Sequence, residues 1–183
     1  MTSNPLLLQV GADLWRHEGY RKYAYPDPLT LLARKYKNYK WGFKPAREIL
    51  TLIGQPETAG RPWTVGVGET LGVNCDSTMT EEQARRRLDS RIIEFAGQLD
   101  RIYPLWKTRS FETQTVLLNL IYNMGPKGLS KFTNTLKFIT AEDYEAAADN
   151  LERSLWYKQV GSRARELVDR LRNQEIPDQY LVA

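Results

Sequence analysis

A chain of 183 residues with 42% hydrophobic and 26% charged side chains is long enough to enclose a core, and its composition is ordinary for a soluble globular protein. The net charge of +4 suits an anionic partner, whether nucleic acid, anionic lipid or the acidic bacterial envelope, without choosing among them. A single cysteine, Cys75, excludes an internal disulfide framework, and a single histidine, His17, excludes a histidine-based metal site.

At the N-terminus Leu6-Leu7-Leu8 is interrupted by Gln9 and then Asp13. That run is too short for a signal-peptide core or a membrane span, so the protein is expected to accumulate in the cytosol where it is made. Residues 5–17 predict an amphipathic helix, with Pro5 in the first turn and Asn4 or Ser3 near the cap. Leu7, Val10 and Leu14 recur at helical spacing and place Glu18 on the same apolar stripe. A carboxylate on a buried face is costly to ionise, so desolvation should raise its pKa and suit it to general-acid work. Gly19 ends the helix, and residues 20–25 alternate aromatic and basic side chains as a strand, Tyr23 and Tyr25 sharing a face. Asp27, beyond Pro26, falls on a turn where hydration should keep it ionised. Two carboxylates in opposed environments are what acid/base cleavage of a glycosidic bond requires. Taken singly, Glu18 is an ordinary helix-terminal glutamate and Asp27 an ordinary turn aspartate.

Residues 28–62 are rich in cations (Arg34, Lys35, Lys37, Lys40, Lys44, Arg47 and Arg61) against only Glu48 and Glu57, with Tyr36, Tyr39, Trp41 and Phe43 interleaved. Short helices are expected over 29–36 and 45–53, the second closed by Gly54. The aromatics either pack this segment onto the rest of the lobe while the lysines face water, or bind sugar rings, phosphates or nucleic acid at the border of a groove. Trp63 to Val67 reads as a strand turning back at Gly66 and Gly68, where glycine permits close approach of a polysaccharide. Thr80-Glu81-Glu82-Gln83 is a capping box that opens a long connecting helix reaching about Tyr103, its Arg85-Arg86-Arg87 run lying on a solvated face. Residues 110–124 are the most apolar stretch and predict a buried central helix, with Leu117, Leu120, Ile121 and Met124 in one stripe and Gly125-Pro126 as its stop. Further helices are expected over 132–139 and over 140–157, the latter with Thr140 and Asp143 in capping-box positions and Leu155 facing inward. A last helix is capped by Ser162, with Ala164, Leu167, Val168 and Leu171 inward.

The order Glu18, eight residues, Asp27, and then Trp63-Thr64-Val65-Gly66-Val67-Gly68-Glu69-Thr70 resembles the phage lysozymes of glycoside hydrolase family 24. That family has a Glu, eight residues, an Asp, five residues and a Thr. A second block agrees independently: Asn119 to Gly125, Phe132 to Leu136, Ala146-Ala147 and Trp156-Tyr157 are similar to the C-terminal lobe of T-even-type enzymes. The largest departure is the segment between Asp27 and Thr64, which is thirty-six residues long here.

The resemblance implies an α+β, predominantly helical, two-lobe lysozyme-like fold: a small β-sheet lobe and a larger helical lobe joined by a long helix. The whole chain, 1–183, would be one such domain, with an N-terminal helix over 1–17, the small lobe over 18–79, the connector over 80–103 and the helical lobe over 104–183. It implies hydrolysis of the β-1,4 bond between N-acetylmuramic acid and N-acetylglucosamine in bacterial peptidoglycan, without metal or organic cofactor. Glu18 would protonate the leaving oxygen, Asp27 serve as base or electrostatic stabiliser, and Thr64 hold the attacking water. Substrate contacts would fall on Gly68, Thr70, Tyr122, Thr135 and Asn150, and Arg163 matches the arginine that pairs with the catalytic glutamate. Thr135 stands where T-even-type enzymes have serine, Tyr122 phenylalanine, Leu155 arginine and Glu69 histidine. The expected protein is a monomer that neither binds nucleic acid nor inserts stably in a membrane, held in the host cytoplasm until a holin releases it to the wall in the periplasm. A lytic transglycosylase, which cleaves the same bond with the glutamate alone, a silent wall-binding module and a basic nucleic-acid binder are the alternatives.

Overall fold

The structure, a computed structural model, describes residues 4–174. Those residues are mostly helical with one two-stranded antiparallel sheet, the α+β class expected for a lysozyme-like fold. They divide into two compact units: 15–88, and a second in which residues up to Leu14 join those from Asp89 onward.

Helix α1 (Pro5–Glu18) begins as expected, the Asn4 side-chain oxygen accepting a bond from the Leu6 amide at 3.0 Å. Ser3 lies outside the described residues. In the 15–88 unit, strand β1 (Arg21–Pro26) pairs with strand β2 (Trp63–Gly66), and between them come α2 (Leu31–Lys35) and α3 (Ala46–Ile53). Thr30 caps α2 through the Ala33 amide, and Gly54 closes α3 in the left-handed conformation at φ 63°. The core of this unit gathers Ala24, Leu32, Ala46, Leu50, Trp63 and Cys75, with Tyr36, Trp41 and Ile53 packed against it. Most of those side chains come from the 28–62 segment. That segment is therefore the interior of the unit and not an appendage to it. Trp63 is 1% exposed, tilts against Trp41 at 6.1 Å between ring centroids, and donates its indole N–H to the Glu57 carbonyl at 3.2 Å. A Cβ on Gly60 would collide with the Trp63 ring, so glycine is needed there for space.

Helix α4 (Glu81–Ile102) opens with the expected capping box, the Gln83 amide donating to Thr80 Oγ1 at 3.1 Å and the Thr80 amide to Gln83 Oε1 at 2.8 Å. Arg85 and Arg86 pair with Glu81 and Glu82 one turn back on the solvent face. In the helical unit, α5 (Phe111–Leu129) buries Val116, Leu117, Leu118, Leu120 and Ile121 completely, while Met124 is only half-buried. Gly125 (φ 71°, ψ 171°) breaks α5 but does not end it: Pro126, lacking an N–H, starts a further helical turn.

Helix α6 (Thr133–Thr140) is followed by α7 (Tyr144–Glu152) and α8 (Leu155–Val160), where one continuous helix over 140–157 was expected. Thr140 closes α6, and Asp143 alone caps α7, accepting from the Ala146 amide at 3.0 Å. Ser154 accepts from the Tyr157 amide at 3.1 Å and starts α8 afresh. The break turns Leu155 outward, 68% exposed instead of buried. In α9 (Ser162–Asn173) Ala164, Leu167, Val168 and Leu171 are buried as expected, but Gly161 holds the cap position and Ser162 is the first helical residue.

Two arginines of α9 organise this unit. Arg170 Nη1 donates to Asp13 Oδ2 at 2.6 Å, and its Nε lies 3.3 Å from Glu112 Oε2, with both acids 2% exposed. Asn119 donates to the Thr115 carbonyl at 3.0 Å and reaches Asp13 Oδ2 at 3.5 Å. Arg172 meets three carboxylates of α7: Glu145 at 3.0 Å, Asp149 at 2.6 Å and Glu152 at 3.0 Å. The Arg172 hydrogen bonds hold the Glu152 carboxyl below its ordinary pKa of 4.5.

Removing one member of a buried ion pair strands the other charge, at a cost of about 3–5 kcal/mol. Arg170→Ala should therefore lower the melting temperature by roughly 6–20 °C in differential scanning calorimetry; a change below about 2 °C contradicts the role assigned to this pair. A depressed carboxylate stabilises the fold fully above its ordinary pKa and loses that contribution as pH falls through the lower folded value. The stability gap between wild type and Arg172→Gln, followed by urea titration, should be constant at neutral pH and narrow as pH drops below 4.5. A gap that widens on acidification has the wrong sign.

Candidate active site

The 15–88 unit carries Glu18, Asp27, Thr64, Gly68 and Thr70. Glu18 is the last residue of α1 and the chain leaves it through Gly19 at φ 68°. It is exposed, contrary to its expected place on the buried stripe. Val10, Asp13 and Leu14 are buried and His17 half-buried, so the stripe is centred on these positions and Glu18 falls about 90° to its side. α1 does bury a carboxylate on its apolar face, and it is Asp13. Desolvation by the helix face is thus not available to Glu18.

Asp27 follows β1 and is half-buried, its backbone N–H bonded to the Pro62 carbonyl at 3.1 Å. Its Oδ1 accepts from the Leu29 amide at 2.7 Å, and its carbonyl accepts from the Thr30 amide and hydroxyl at 2.9 and 2.7 Å. The carboxylate is therefore oriented by an Asx turn, not merely hydrated as expected. Thr64 stands opposite Tyr25 in the β1–β2 ladder, and Trp63 opposite Pro26. Directly paired residues project to the same side of a sheet, and residues two apart along a strand do as well. Tyr25, Thr64 and the start of the Asp27 turn thus share one face, while Pro26 and Trp63 point to the core.

Tyr25 lies within electrostatic reach of both Glu18 and Asp27. Burial raises the pKa of its phenol above the ordinary value of 10.0; Arg21 opposes this, and the negative charges of Glu18 and Asp27 both add to the rise. A single phenol thus feels both carboxylates. Sequence reading passed over Tyr25 as one more strand aromatic, although its place two residues before Asp27 was the available signal.

Beyond β2 the chain reverses through Gly66 (φ 68°) and Gly68 (φ 96°), with Val65 and Glu69 exchanging backbone bonds at 2.9 and 3.0 Å. The two glycines serve different ends. A Cβ at Gly66 would run into the Met79 sulfur, whereas the space over Gly68 is open. Thr70 is exposed beside it, and buried Glu69 lies 3.7 Å from Arg87. In the helical unit Tyr122 packs edge-on to Phe95 at 5.6 Å, and Thr135 Oγ1 donates to Asn150 Oδ1 at 2.8 Å. Arg163 is buried in the first turn of α9. Among the described residues no group of three or more His, Cys, Asp or Glu side chains is placed to hold a metal ion.

A family model described as phage lysozyme matches residues 48–175, well over half of the chain. The chain belongs to the phage lysozyme family. The match takes in Thr64, Gly68, Thr70, Tyr122, Thr135, Asn150 and Arg163, and begins downstream of Glu18 and Asp27. The chain is also similar to the pre-baseplate central spike protein Gp5 of Enterobacteria phage T4, at 34% identity over 64 residues, or 35% of this chain and 11% of that protein. It spans about a tenth of that relative's length. Membership of the phage lysozyme family supports a peptidoglycan-degrading enzyme.

Alanine at either turn glycine must adopt a positive φ, which destabilises by more than about 1 kcal/mol, and at Gly66 the clash with Met79 adds to that strain. Urea unfolding should show Gly66→Ala to be the more destabilised variant; equal losses would mean that the Met79 contact is not limiting.

Proposed function

We propose that this protein cleaves the β-1,4 bond between N-acetylmuramic acid and N-acetylglucosamine in peptidoglycan by inverting hydrolysis. Glu18 protonates the glycosidic oxygen as the bond breaks. Asp27 takes a proton from the water that attacks the anomeric carbon, and Thr64 holds that water through its hydroxyl. Inversion requires the two carboxyl groups roughly 6.5–9.5 Å apart, with the water between. The observation that carries this reading is the Tyr25 phenol, influenced by both Glu18 and Asp27 and paired across the sheet with Thr64.

The Asx turn fits Asp27 for its part, because the Leu29 amide fixes Oδ1 and orients Oδ2 for the water. Since Glu18 is exposed, its desolvation would come from the saccharide laid over it, which excludes water from the acid as the complex forms. The open approach over Gly68 suits a sugar resting on the turn backbone. Gly68, Thr70, Tyr122, Thr135 and Asn150 are the further sugar contacts in this proposal. Among the described residues no helix is long and apolar enough to cross a membrane. Release to the wall through a holin is part of this proposal.

The test is turbidity loss of outer-membrane-permeabilised bacteria, with the released sugars identified by mass. Wild type should lyse the cells and leave reducing muramic ends. A positioned general acid contributes about 10²–10⁴-fold, so Glu18→Gln and Asp27→Asn should each lose activity on that scale. Anhydromuramic ends would make the protein a transglycosylase, and full activity in Glu18→Gln would remove the acid from the mechanism.

A further inference from the structure

The 28–62 segment also forms an open cavity of about 800 Å³, and its wall combines cations with aromatic rings. Arg34, Lys37 and Lys40 supply the charge, Tyr39, Trp41 and Phe43 supply ring faces, and no acidic residue lines the cavity. Arg34, Lys37 and Lys40 are exposed and make no ion pair among the described residues. None of the three is neutralised by direct pairing with a carboxylate among the described residues. Arg21, on the same wall, lies over the Phe43 ring at 4.5 Å. Phe43 itself is 60% exposed, whereas Trp41 is anchored by its indole bond to the Tyr36 carbonyl at 3.1 Å. Trp41 is therefore held against the core, while Phe43 is presented to solvent.

The cavity adjoins the candidate catalytic face. Tyr25, Pro26 and Pro28 are on its wall, so Asp27 is bracketed by two cavity residues. A ligand seated there can belong to the same molecule as the one cleaved.

From this we infer that the cavity is a subsite for an acidic saccharide: a sugar ring stacks on Tyr39 or Phe43, and its carboxylate or phosphate is held by Arg34, Lys37 and Lys40. The volume is within the range of small-ligand pockets and accommodates a disaccharide with its acidic substituent. A neutral sugar would use only the rings, and a simple anion only the cations. The inference rests on the proposed function for the choice of a wall saccharide, and on the cavity's own chemistry for the charge and the stacking.

Isothermal titration of the full chain tests it with four probes: a disaccharide-peptide from peptidoglycan, which carries carboxylates and no phosphate; a sugar-substituted glycerol-phosphate wall polymer, which carries phosphates; a neutral N-acetylglucosamine oligomer; and a single-stranded oligonucleotide. At least one acidic saccharide should bind more tightly than the neutral oligomer and the oligonucleotide, and which of the two does so identifies the anion's source. Removing a charge-assisted hydrogen bond should weaken that binding about tenfold or more, so Arg34→Glu and Lys37→Glu should each do so, with Phe43→Ala weakening it through the ring. All three side chains are exposed, and an unchanged melting temperature shows that the fold is intact. Equal affinity for the neutral oligomer, tightest binding to the oligonucleotide, or wild-type affinity in both charge reversals overturns the inference. The two readings fail separately. Saccharide binding that the variants lose, without wall lysis by wild type, sinks the proposed function alone; lysis with unaltered binding in the variants sinks the subsite alone.

Discussion

The site-bearing unit is built around one seated indole. Trp63 occupies the space left by the bare Cα of Gly60, bonds to the Glu57 carbonyl and meets Trp41 from the intervening segment. Because Trp63 is paired with Pro26, its neighbour Thr64 projects to the other side of the ladder, opposite Tyr25, where it is also buried, at 8% exposed. A one-residue slip of β2 would exchange the two, turning the indole to the Tyr25 side and the hydroxyl into the packing around Trp41. Hydrophobic burial of a single ring therefore sets the register on which the position of Thr64 depends.

A different force holds α1 in the helical unit. Arg170 draws Asp13 and Glu112 into a pocket from which water is largely excluded, and this fixes the rotation of α1 about its axis. That rotation places Glu18 to the side of the buried stripe and leaves it exposed. Arg172 makes the corresponding clamp between α9 and α7 at the unit's surface, where the pairs are individually weaker but share one guanidinium.

Much of this was legible in the residues. The capping box at Thr80, the left-handed stop at Gly54 and the stripe through Leu167 and Leu171 are local signals, decided within one or two turns of chain, and the structure carries them. The misreadings share another character. The buried face of α1 includes Asp13, whose partner Arg170 is 157 residues away in sequence and invisible to periodicity, and Glu18 falls to the side of that face. The single helix over 140–157 failed because Ser154 is as competent a cap as any predicted one, yet its neighbours continue the helical pattern. Tyr25 was overlooked because its significance arises only when the fold brings it within electrostatic reach of two carboxylates and opposite Thr64.

The composition of the core in the 15–88 unit bears on how such a protein diversifies. A loop that merely decorates a fold can be shortened or exchanged freely. This one contributes Leu32, Ala46 and Leu50 beneath the sheet, so its excision would leave the indole at position 63 half naked and the β1–β2 register without support. Substitutions that leave this core undisturbed are those at the segment's solvent-facing cations and rings, such as Arg34, Lys37 and Phe43.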